Sequence, residues 1–239
     1  MTEWFEQWFG EEYLHVYPHR DDEDAERLVR LLRVYGVAGP GERVLDLACG
    51  PGRHSAALAR GGARVVGVDL SPALLVAARR RGGGRVARGD MRQLPFATTA
   101  FDSVLNLFTS FGYFASDDEH AAVIREVARV LRPGGRFVLD FLNATAVRSG
   151  LVPRNERQVG GTTVVQERRI SEDGRFVVKS IHVSGNSRTF TERVRLYERA
   201  DLEQMIAAHG IRPEAVAGDY DGSPHDAASP RLILVGRRA

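Results

Sequence analysis

Cysteine is nearly absent from this chain of 239 residues, because Cys49 is the only one. A lone cysteine excludes an internal disulfide and any cysteine-rich metal site. Long apolar runs are also lacking, since none approaches the ~20 residues that a membrane-spanning helix needs. The first ten residues are acidic and aromatic, which does not match a signal peptide. We therefore expect a cytoplasmic protein that does not enter a membrane.

Lysine is almost as scarce, because Lys179 is the only one and the remaining Lys/Arg positions are all arginine. The formal net charge is only +2, and no basic tail or face typical of a nucleic-acid binder is visible. The densest basic run is Arg79–Arg81, followed by Arg85, Arg88 and Arg92. We interpret this run as a solvated helix end and loop, with a phosphate-binding patch as the alternative. Nucleic acid is therefore not expected as a partner.

The pattern from residue 36 to residue 142 alternates apolar strands with helices. This alternation predicts an α/β fold with a doubly wound, mostly parallel sheet that is covered on both faces. The predicted strands of this sheet are Arg43–Leu47, Arg64–Val68, Arg85–Ala87, Ser103–Phe108, Arg136–Phe141, Pro213–Asp219 and Arg231–Gly236. Helices are predicted at Trp4–Phe9, Asp21–Gly36, Gly52–Arg60, Ser71–Arg80, Asp117–Leu131 and Asp201–His209.

A different pattern follows Asn143, where polar and apolar residues alternate in strand-like runs. Two turn signals, Asp173–Gly174 and Gly185–Asn186, separate these runs and are typical of hairpins. The region therefore predicts a small antiparallel β insertion of three strands after strand five. The runs are Thr162–Arg169, Phe176–Ser184 and Ser187–Leu196.

Three strand ends carry residues suited to a nucleoside. Gly50 and Gly52 form a tight turn after the first strand, and without a Cβ they let a ligand approach the backbone closely. Asp69, at the tip of the second strand, can accept both hydroxyls of a ribose. Asp90 and the backbone of Met91, just past the third strand, could meet an adenine edge. Because ligands of open α/β sheets bind at the carboxyl ends of the strands, we predict one site there.

These segments resemble the motifs of the class I S-adenosylmethionine-dependent methyltransferases, and the likeness covers about residues 36–142. It implies a seven-stranded sheet ordered 3-2-1-4-5-7-6 with strand 7 antiparallel. It also implies S-adenosylmethionine as the cofactor, with S-adenosylhomocysteine as product. The motifs that carry the resemblance are Asp46–Gly52, Asp69, Asp90–Met91, Phe101–Val104 and Leu131–Arg136.

The resemblance also implies roles along the first two strands. Gly50 and Gly52 would approach the methionine part of the cofactor, with Ala48 in the same loop. Asp69 would bind the ribose. Asp46 would either order the glycine loop or reach the methionine amino group.

Further residues would contact the base and the methyl group. By the same resemblance, Asp90 would contact the adenine amine, Met91 would cover the ring, and Leu70 would pack on its other face. Asn106 and Phe108, at the end of the fourth strand, would face the sulfonium and the acceptor.

The N-terminal region contains aromatic and cationic residues between positions 13 and 20. It resembles the lid of small-molecule methyltransferases, in which Tyr13 or Arg20 would meet the cofactor carboxylate. A simple surface loop is the alternative interpretation. Residues 1–35 are thus predicted to form a helical lid, and residues 36–146 with 197–239 the cofactor-binding domain. Residues 147–196 would cover the acceptor, with a dimerisation surface as their other interpretation.

Catalytic residues stay unassigned. The sulfonium methyl is already electrophilic, so the protein must mainly align the nucleophile and exclude water. Accordingly no triad and no set of metal-ligating histidines is expected. The aromatic run Leu107–Phe114 is predicted either to wall the reaction site or to pack in the core. Arg195, Tyr197, Tyr220 and Arg231 either present polar groups to the acceptor or are structural.

The function that these patterns favour is methyl transfer from S-adenosylmethionine to a nitrogen or oxygen of a small molecule. The alternative is an RNA or ribosome-associated methyltransferase, which would normally carry an appended basic module. A nicotinamide dehydrogenase is disfavoured, because its fingerprint needs glycine or alanine where Ser55 stands. A protein that binds the nucleoside without turnover is a further alternative.

Overall fold

A computed structural model describes residues 3–17 and 22–239, which contain eight helices and eleven strands. The helices are α1 (Trp4–Trp8), α2 (Glu11–Val16), α3 (Asp22–Val34), α4 (Arg53–Arg60), α5 (Pro72–Arg81), α6 (Asp117–Val130), α7 (Ala144–Gly150) and α8 (Arg199–Ala208). The strands are β1 (Arg43–Leu47), β2 (Arg64–Asp69), β3 (Arg85–Arg88), β4 (Phe101–Asn106), β5 (Leu131–Leu142), β6 (Arg154–Val159), β7 (Thr162–Ile170), β8 (Phe176–Val183), β9 (Thr189–Arg195), β10 (Ile211–Ala217) and β11 (Arg231–Arg238).

Seven strands form the main sheet in the order β10-β11-β5-β4-β1-β2-β3. Strands β1 to β5 are mutually parallel, whereas β11 runs antiparallel to both β5 and β10. With β10 and β11 counted as strands six and seven, this is the predicted order 3-2-1-4-5-7-6. Leu47 lies opposite Val68 on one side and Asn106 on the other. The carboxyl ends of β1, β2 and β4 therefore meet at one edge.

Both faces of this sheet are buried, which explains the near-continuous apolar runs of its strands. On one face, Leu45 and Leu47 of β1 belong to a cluster with Ile124 of α6. On the other face, Val44 clusters with Leu32 of α3 and with α4. Because α3 packs on the main sheet, we use the term lid only for residues 3–17 of the predicted N-terminal unit.

The insertion is a separate antiparallel sheet of four strands, in the order β6-β7-β8-β9, and not of three as predicted. Strand β6 was missed because it lies at the edge and its residues are mostly polar, with only Val159 buried. Gly160 and Gly161, with φ of 54° and 82°, make the turn into β7. Left-handed backbone of this kind favours glycine.

Two further elements differ from the sequence-based prediction. Helix α2 occupies part of the segment predicted as a loop, because Tyr13 and Val16 gain a buried apolar face. Strand β5 begins at Leu131, which lies opposite Phe101, and a register shift then brings Arg136 opposite Ser103. The residues Pro133–Gly135 thus lie within a bulged strand, and α6 ends before them at Val130.

The lid packs against the insertion. Trp8, Tyr13 and Val16 form a third apolar cluster with side chains of the four-stranded sheet, including Phe190. The rings of Trp8 and Phe190 lie 4.6 Å apart, and the Trp8 indole N–H donates a 2.7 Å hydrogen bond to Oε1 of Glu192.

Among the described residues, no helix has the length and apolar character needed to span a bilayer.

Candidate active site

A cavity of about 810 Å³, here called the main cavity, opens at the carboxyl ends of β1, β2 and β4. The lid closes it from above through Phe9, Tyr13 and Tyr17. Its volume lies within the range of small-molecule and cofactor sites. The predicted site residues that line it are Tyr13, Ala48, Gly50, Asp69, Leu70, Asp90, Met91 and Phe108.

Three other predicted site residues stand behind the cavity wall. Asp46, Gly52 and Asn106 are not among its lining residues. Asn106 is buried and donates a 3.3 Å hydrogen bond from Nδ2 to the carbonyl of Leu47, so its side chain connects β4 with β1. Arg20 lies outside the described residues, and its predicted contact with the cofactor stays a prediction.

The two glycines of the turn serve different purposes. Gly50 has a φ of +55°, and a Cβ built on it would point into open space beside the cavity. Gly52 has a φ of +78°, and a Cβ there would stand 2.9 Å from the Cβ of Ala78. Gly50 therefore keeps room at the cavity wall, whereas Gly52 lets α4 and α5 pack closely.

Asp69 connects the glycine turn to the start of α5. Its Oδ2 accepts a 2.8 Å hydrogen bond from the backbone N–H of Gly50, and its Oδ1 accepts one of 2.9 Å from Ser71. Burial raises the pKa of Asp69, and these backbone hydrogen bonds oppose the shift. An ionised carboxylate has about four lone-pair sites, so Asp69 can still accept hydroxyl groups of a ligand.

Asp46 lies beneath the same turn. Its Oδ2 accepts a 2.6 Å hydrogen bond from the Ser55 hydroxyl in the first turn of α4, and the carboxylate is 2% exposed. Burial, reinforced by the charge of Asp69, raises the pKa of Asp46 to about 6. Its position beneath the loop suits the first of its two predicted roles, ordering the loop.

Asp90 has a partner that the sequence did not suggest. Arg92 donates to its Oδ1 from the backbone N–H at 2.8 Å and to its Oδ2 from Nη2 at 2.7 Å. The same guanidinium also reaches Glu119 at 2.6 Å. Burial acts to raise the pKa of Asp90, but the hydrogen bonds from Arg92 hold it below its usual value. The carboxylate that was predicted to meet the adenine amine is thus engaged by Arg92.

A strained turn follows β4 at the edge of the main cavity. Phe108 and Thr109 both have left-handed φ values, 58° and 61°, which non-glycine residues rarely adopt. The buried Asp140 holds this turn, because its Oδ2 accepts a 2.8 Å hydrogen bond from the Phe108 N–H. Arg231 and Tyr220 bind the same carboxylate, with a hydrogen bond of 2.8 Å each.

The sequence offered four residues as candidates for the acceptor cleft. In the structure, each of them forms a hydrogen bond with the carboxylate of Asp117 or Asp140. Arg231 and Tyr220 belong to the Asp140 network, and Arg195 and Tyr197 bind Asp117 at 3.1 and 2.6 Å. None of these four lines the main cavity.

A second cavity of about 640 Å³, here called the side chamber, lies beside the main cavity. The two share Phe9, Phe108 and Tyr113 as walls. The insertion contributes most of the polar lining, in particular Arg168, Lys179 and Glu192. Sequence reasoning missed these three residues. The only signals were the alternation of β7 to β9 and the position of the sole lysine.

Within residues 3–17 and 22–239, no group of three His, Cys, Asp or Glu side chains could hold a metal ion.

Several known proteins are similar to this chain in sequence and in fold. A family model described as a methyltransferase domain matches residues 44–135. The cypemycin N-terminal methyltransferase of a Streptomyces species is 33% identical over 206 residues, which cover 83% of this chain and 84% of that protein. The sugar N-methyltransferase KedS8 from a Streptoalloteichus species has a TM-score of 0.73 at 30% identity, covering 96% of this chain and 93% of that one.

A further structure, the CcbJ methyltransferase from Streptomyces caelestis, has a TM-score of 0.83 and covers 100% of both chains. At 20% identity this likeness concerns the fold alone. Together with the motifs and the main cavity, the sequence matches identify the class: the chain belongs to the class I S-adenosylmethionine-dependent methyltransferases. It is an enzyme whose methyl donor is S-adenosylmethionine.

Proposed function

We propose that this enzyme transfers a methyl group to a nitrogen or oxygen of a small molecule that binds in the side chamber. The observation that carries the proposal is the shared wall of the two cavities, formed by Phe9, Phe108 and Tyr113. A donor in the main cavity and an acceptor in the side chamber would meet at these residues. Such a meeting point is what in-line transfer requires.

The lining of the main cavity supports the predicted donor contacts. Asp69 would accept the ribose hydroxyls, and Gly50 would leave room for the methionine part, alongside Ala48. Leu70 and Met91 are partly buried apolar side chains suited to the two faces of the adenine. The remaining proposed contacts are those of Asp90 with the adenine amine and of Tyr13 with the methionine carboxylate.

The bound cofactor supplies an electrophilic methyl group, and the protein has to position the acceptor and exclude water. Lid and insertion are suited to excluding water, because they pack on each other through a shared apolar cluster. The lid lines both cavities, and the insertion lines the side chamber. The turn at Phe108 and Thr109 is suited to positioning the acceptor, since hydrogen bonds with Asp140 and Arg231 hold its strained backbone in place. We thus assign residues 147–196 the role of an acceptor cover.

Nitrogen is the acceptor atom that the relatives favour. The cypemycin enzyme methylates an N-terminus by its name, and KedS8 is described as a sugar N-methyltransferase. Both align with most of this chain. An amine acceptor must arrive unprotonated at the methyl group, because only the free lone pair is nucleophilic.

The test is a product search with isotopically labelled S-adenosylmethionine. The enzyme is incubated with a small-molecule extract, and labelled products are identified by mass spectrometry. We expect label in a small molecule, with the methyl on nitrogen or oxygen, and no label when Asp69→Ala replaces the wild type at low cofactor concentration. Label that appears only in macromolecules of an unfractionated extract would contradict the proposal.

A further inference from the structure

The side chamber is crossed by a row of three charged residues, here called the charged row. Arg168 on β7 lies directly opposite Lys179 on β8, and Lys179 lies directly opposite Glu192 on β9. All three line the side chamber. Since side chains that face each other across antiparallel strands project from the same face, the row presents its charges to the chamber together.

The charges of the row do not cancel. Lys179 forms an ion pair with Glu192, whose Oε1 also accepts the Trp8 indole N–H. Arg168 instead donates to neutral oxygens, the Asn155 Oδ1 at 2.6 Å and the Gln166 Oε1. Within the described part of the chain, Arg168 has no carboxylate partner. One positive charge at the chamber wall is therefore left without a counter-charge.

The two neighbouring positive charges of the row lower the stability of the folded protein. Like charges directly opposite each other on neighbouring strands repel, and Arg168 and Lys179 form such a pair. Lys179 is only 19% exposed, so water screens the repulsion less than on an open surface. An anionic group between the two cations would remove the repulsion. The guanidinium of Arg168 could bind it through two parallel hydrogen bonds.

We propose, on the basis of the proposed function, that the methyl acceptor carries a carboxylate, which Arg168 binds together with Lys179. A monoanion matches the single unbalanced charge of the row. The rest of the chamber is largely aliphatic, with Leu142, Leu151 and Val177 in its wall. A short hydrocarbon chain would fill that part and direct the opposite end of the acceptor toward Phe108 and the main cavity.

The experiment measures ligand binding, so that it does not depend on turnover. Valerate and its uncharged isostere valeramide are titrated by NMR into enzyme saturated with S-adenosylhomocysteine. We expect valerate to bind at least about 10-fold more tightly, since hydrogen bonds to a charged group are the stronger class. Arg168→Gln should abolish this preference, and Arg168→Lys should retain part of it. Glu192→Gln should increase valerate affinity, because it frees the charge of Lys179.

Arg169→Gln is the matched control. Arg169 is the next residue of β7, it is exposed, and it points away from the chamber by the alternation of the strand. The control removes the same charge and should leave valerate binding unchanged. Circular dichroism and the affinity for S-adenosylhomocysteine verify that each variant folds.

Two results would overturn the inference. One is wild-type enzyme that binds valerate no better than valeramide, and the other is equal valerate affinity in the Arg168→Gln and Arg169→Gln variants. Either result leaves the proposed methyl transfer intact as long as S-adenosylhomocysteine binds. Failure of S-adenosylhomocysteine to bind would contradict the proposed function itself.

Discussion

The Asp69 carboxylate accepts a 2.8 Å hydrogen bond from the backbone N–H of Gly50 and so connects the tip of β2 to the glycine turn after β1. Its second oxygen binds the N–H of Ser71, one residue before α5 begins. The residue proposed to bind the ribose therefore also shapes the loop proposed to receive the methionine part. Because the two tasks share one carboxylate, they can be separated only by measuring binding and stability together.

Asp69→Ala should weaken binding of S-adenosylhomocysteine by about 10- to 150-fold, the range expected for lost hydrogen bonds to a charged group. Calorimetric dissociation constants test this. Asp173→Ala is the control, because Asp173 is a solvent-exposed turn residue remote from the main cavity. If Asp69→Ala lowers only the unfolding temperature and leaves the dissociation constant unchanged, its role is confined to holding the turn.

The pairing of Asp90 with Arg92 leads to a prediction of opposite effects. Asp90→Ala should weaken cofactor binding, whereas Arg92→Gln should leave it unchanged or strengthen it by freeing the carboxylate for the adenine amine. Calorimetry on both variants, with adenosine as a second ligand, measures this difference. Equal losses of stability with unchanged affinities would show instead that the pair only connects this loop to Glu119 of α6.

His120 forms the centre of a buried network beside the rings of Phe111 and Phe114. The Phe114 N–H donates to its Nε2 at 3.1 Å, so the neutral ring carries its proton on Nδ1, 2.9 Å from the Tyr197 hydroxyl. That hydroxyl donates in turn to Asp117 at 2.6 Å. Burial lowers the pKa of His120 to about 4, and protonation would break the bond from Phe114.

This lowered pKa predicts acid sensitivity. The unfolded chain takes up a proton at His120 near pH 6.5, and the folded chain does so only near pH 4. Stability from this group is thus complete above about pH 6.5 and is lost as the pH falls to 4, by on the order of 3 kcal/mol. The pKa of Asp46, raised to about 6, makes the folded state more stable as the pH falls over part of this range. The pH dependence of wild-type stability therefore does not isolate the contribution of His120.

The measurement compares urea unfolding of wild type and His120→Asn from pH 7.5 to 4. We expect the difference in unfolding free energy between them to shrink steadily as the pH falls. A difference that stays constant with pH would mean that His120 takes up its proton at the same pH in the folded and the unfolded chain, so that burial does not lower its pKa.

Low net charge predicts weak association with nucleic acid. With a formal net charge of +2, the enzyme should bind generic RNA or duplex DNA only weakly at physiological salt. Fluorescence anisotropy over a range of salt concentrations measures this. Sub-micromolar binding with a steep salt dependence would favour the RNA-modifying alternative over the small-molecule acceptor.

Local patterns were sufficient for most of the fold. The strand alternation predicted a mostly parallel sheet, and the family resemblance implied its strand order. The turn signals at Asp173 and Gly185 predicted the hairpins of the insertion. The edge strand β6 was missed because a strand with one buried side chain has almost no apolar alternation to detect. Helix α2 was missed because its stability comes from contacts with the distant β strands of the insertion.

The sequence by itself determined that the chain is an α/β methyltransferase, and it predicted donor contacts at three strand ends. Those predicted contacts depend on local features, which adjacent residues encode: a left-handed turn at Gly50, an acid at the end of β2 and another acid two residues after β3. Only the tertiary structure decided that Arg92 engages Asp90, and that Arg168 faces a chamber beside Phe108. The second result requires the strand register of the insertion and the packing of the lid on it. The lid contact joins residues as far apart in sequence as Trp8 and Glu192.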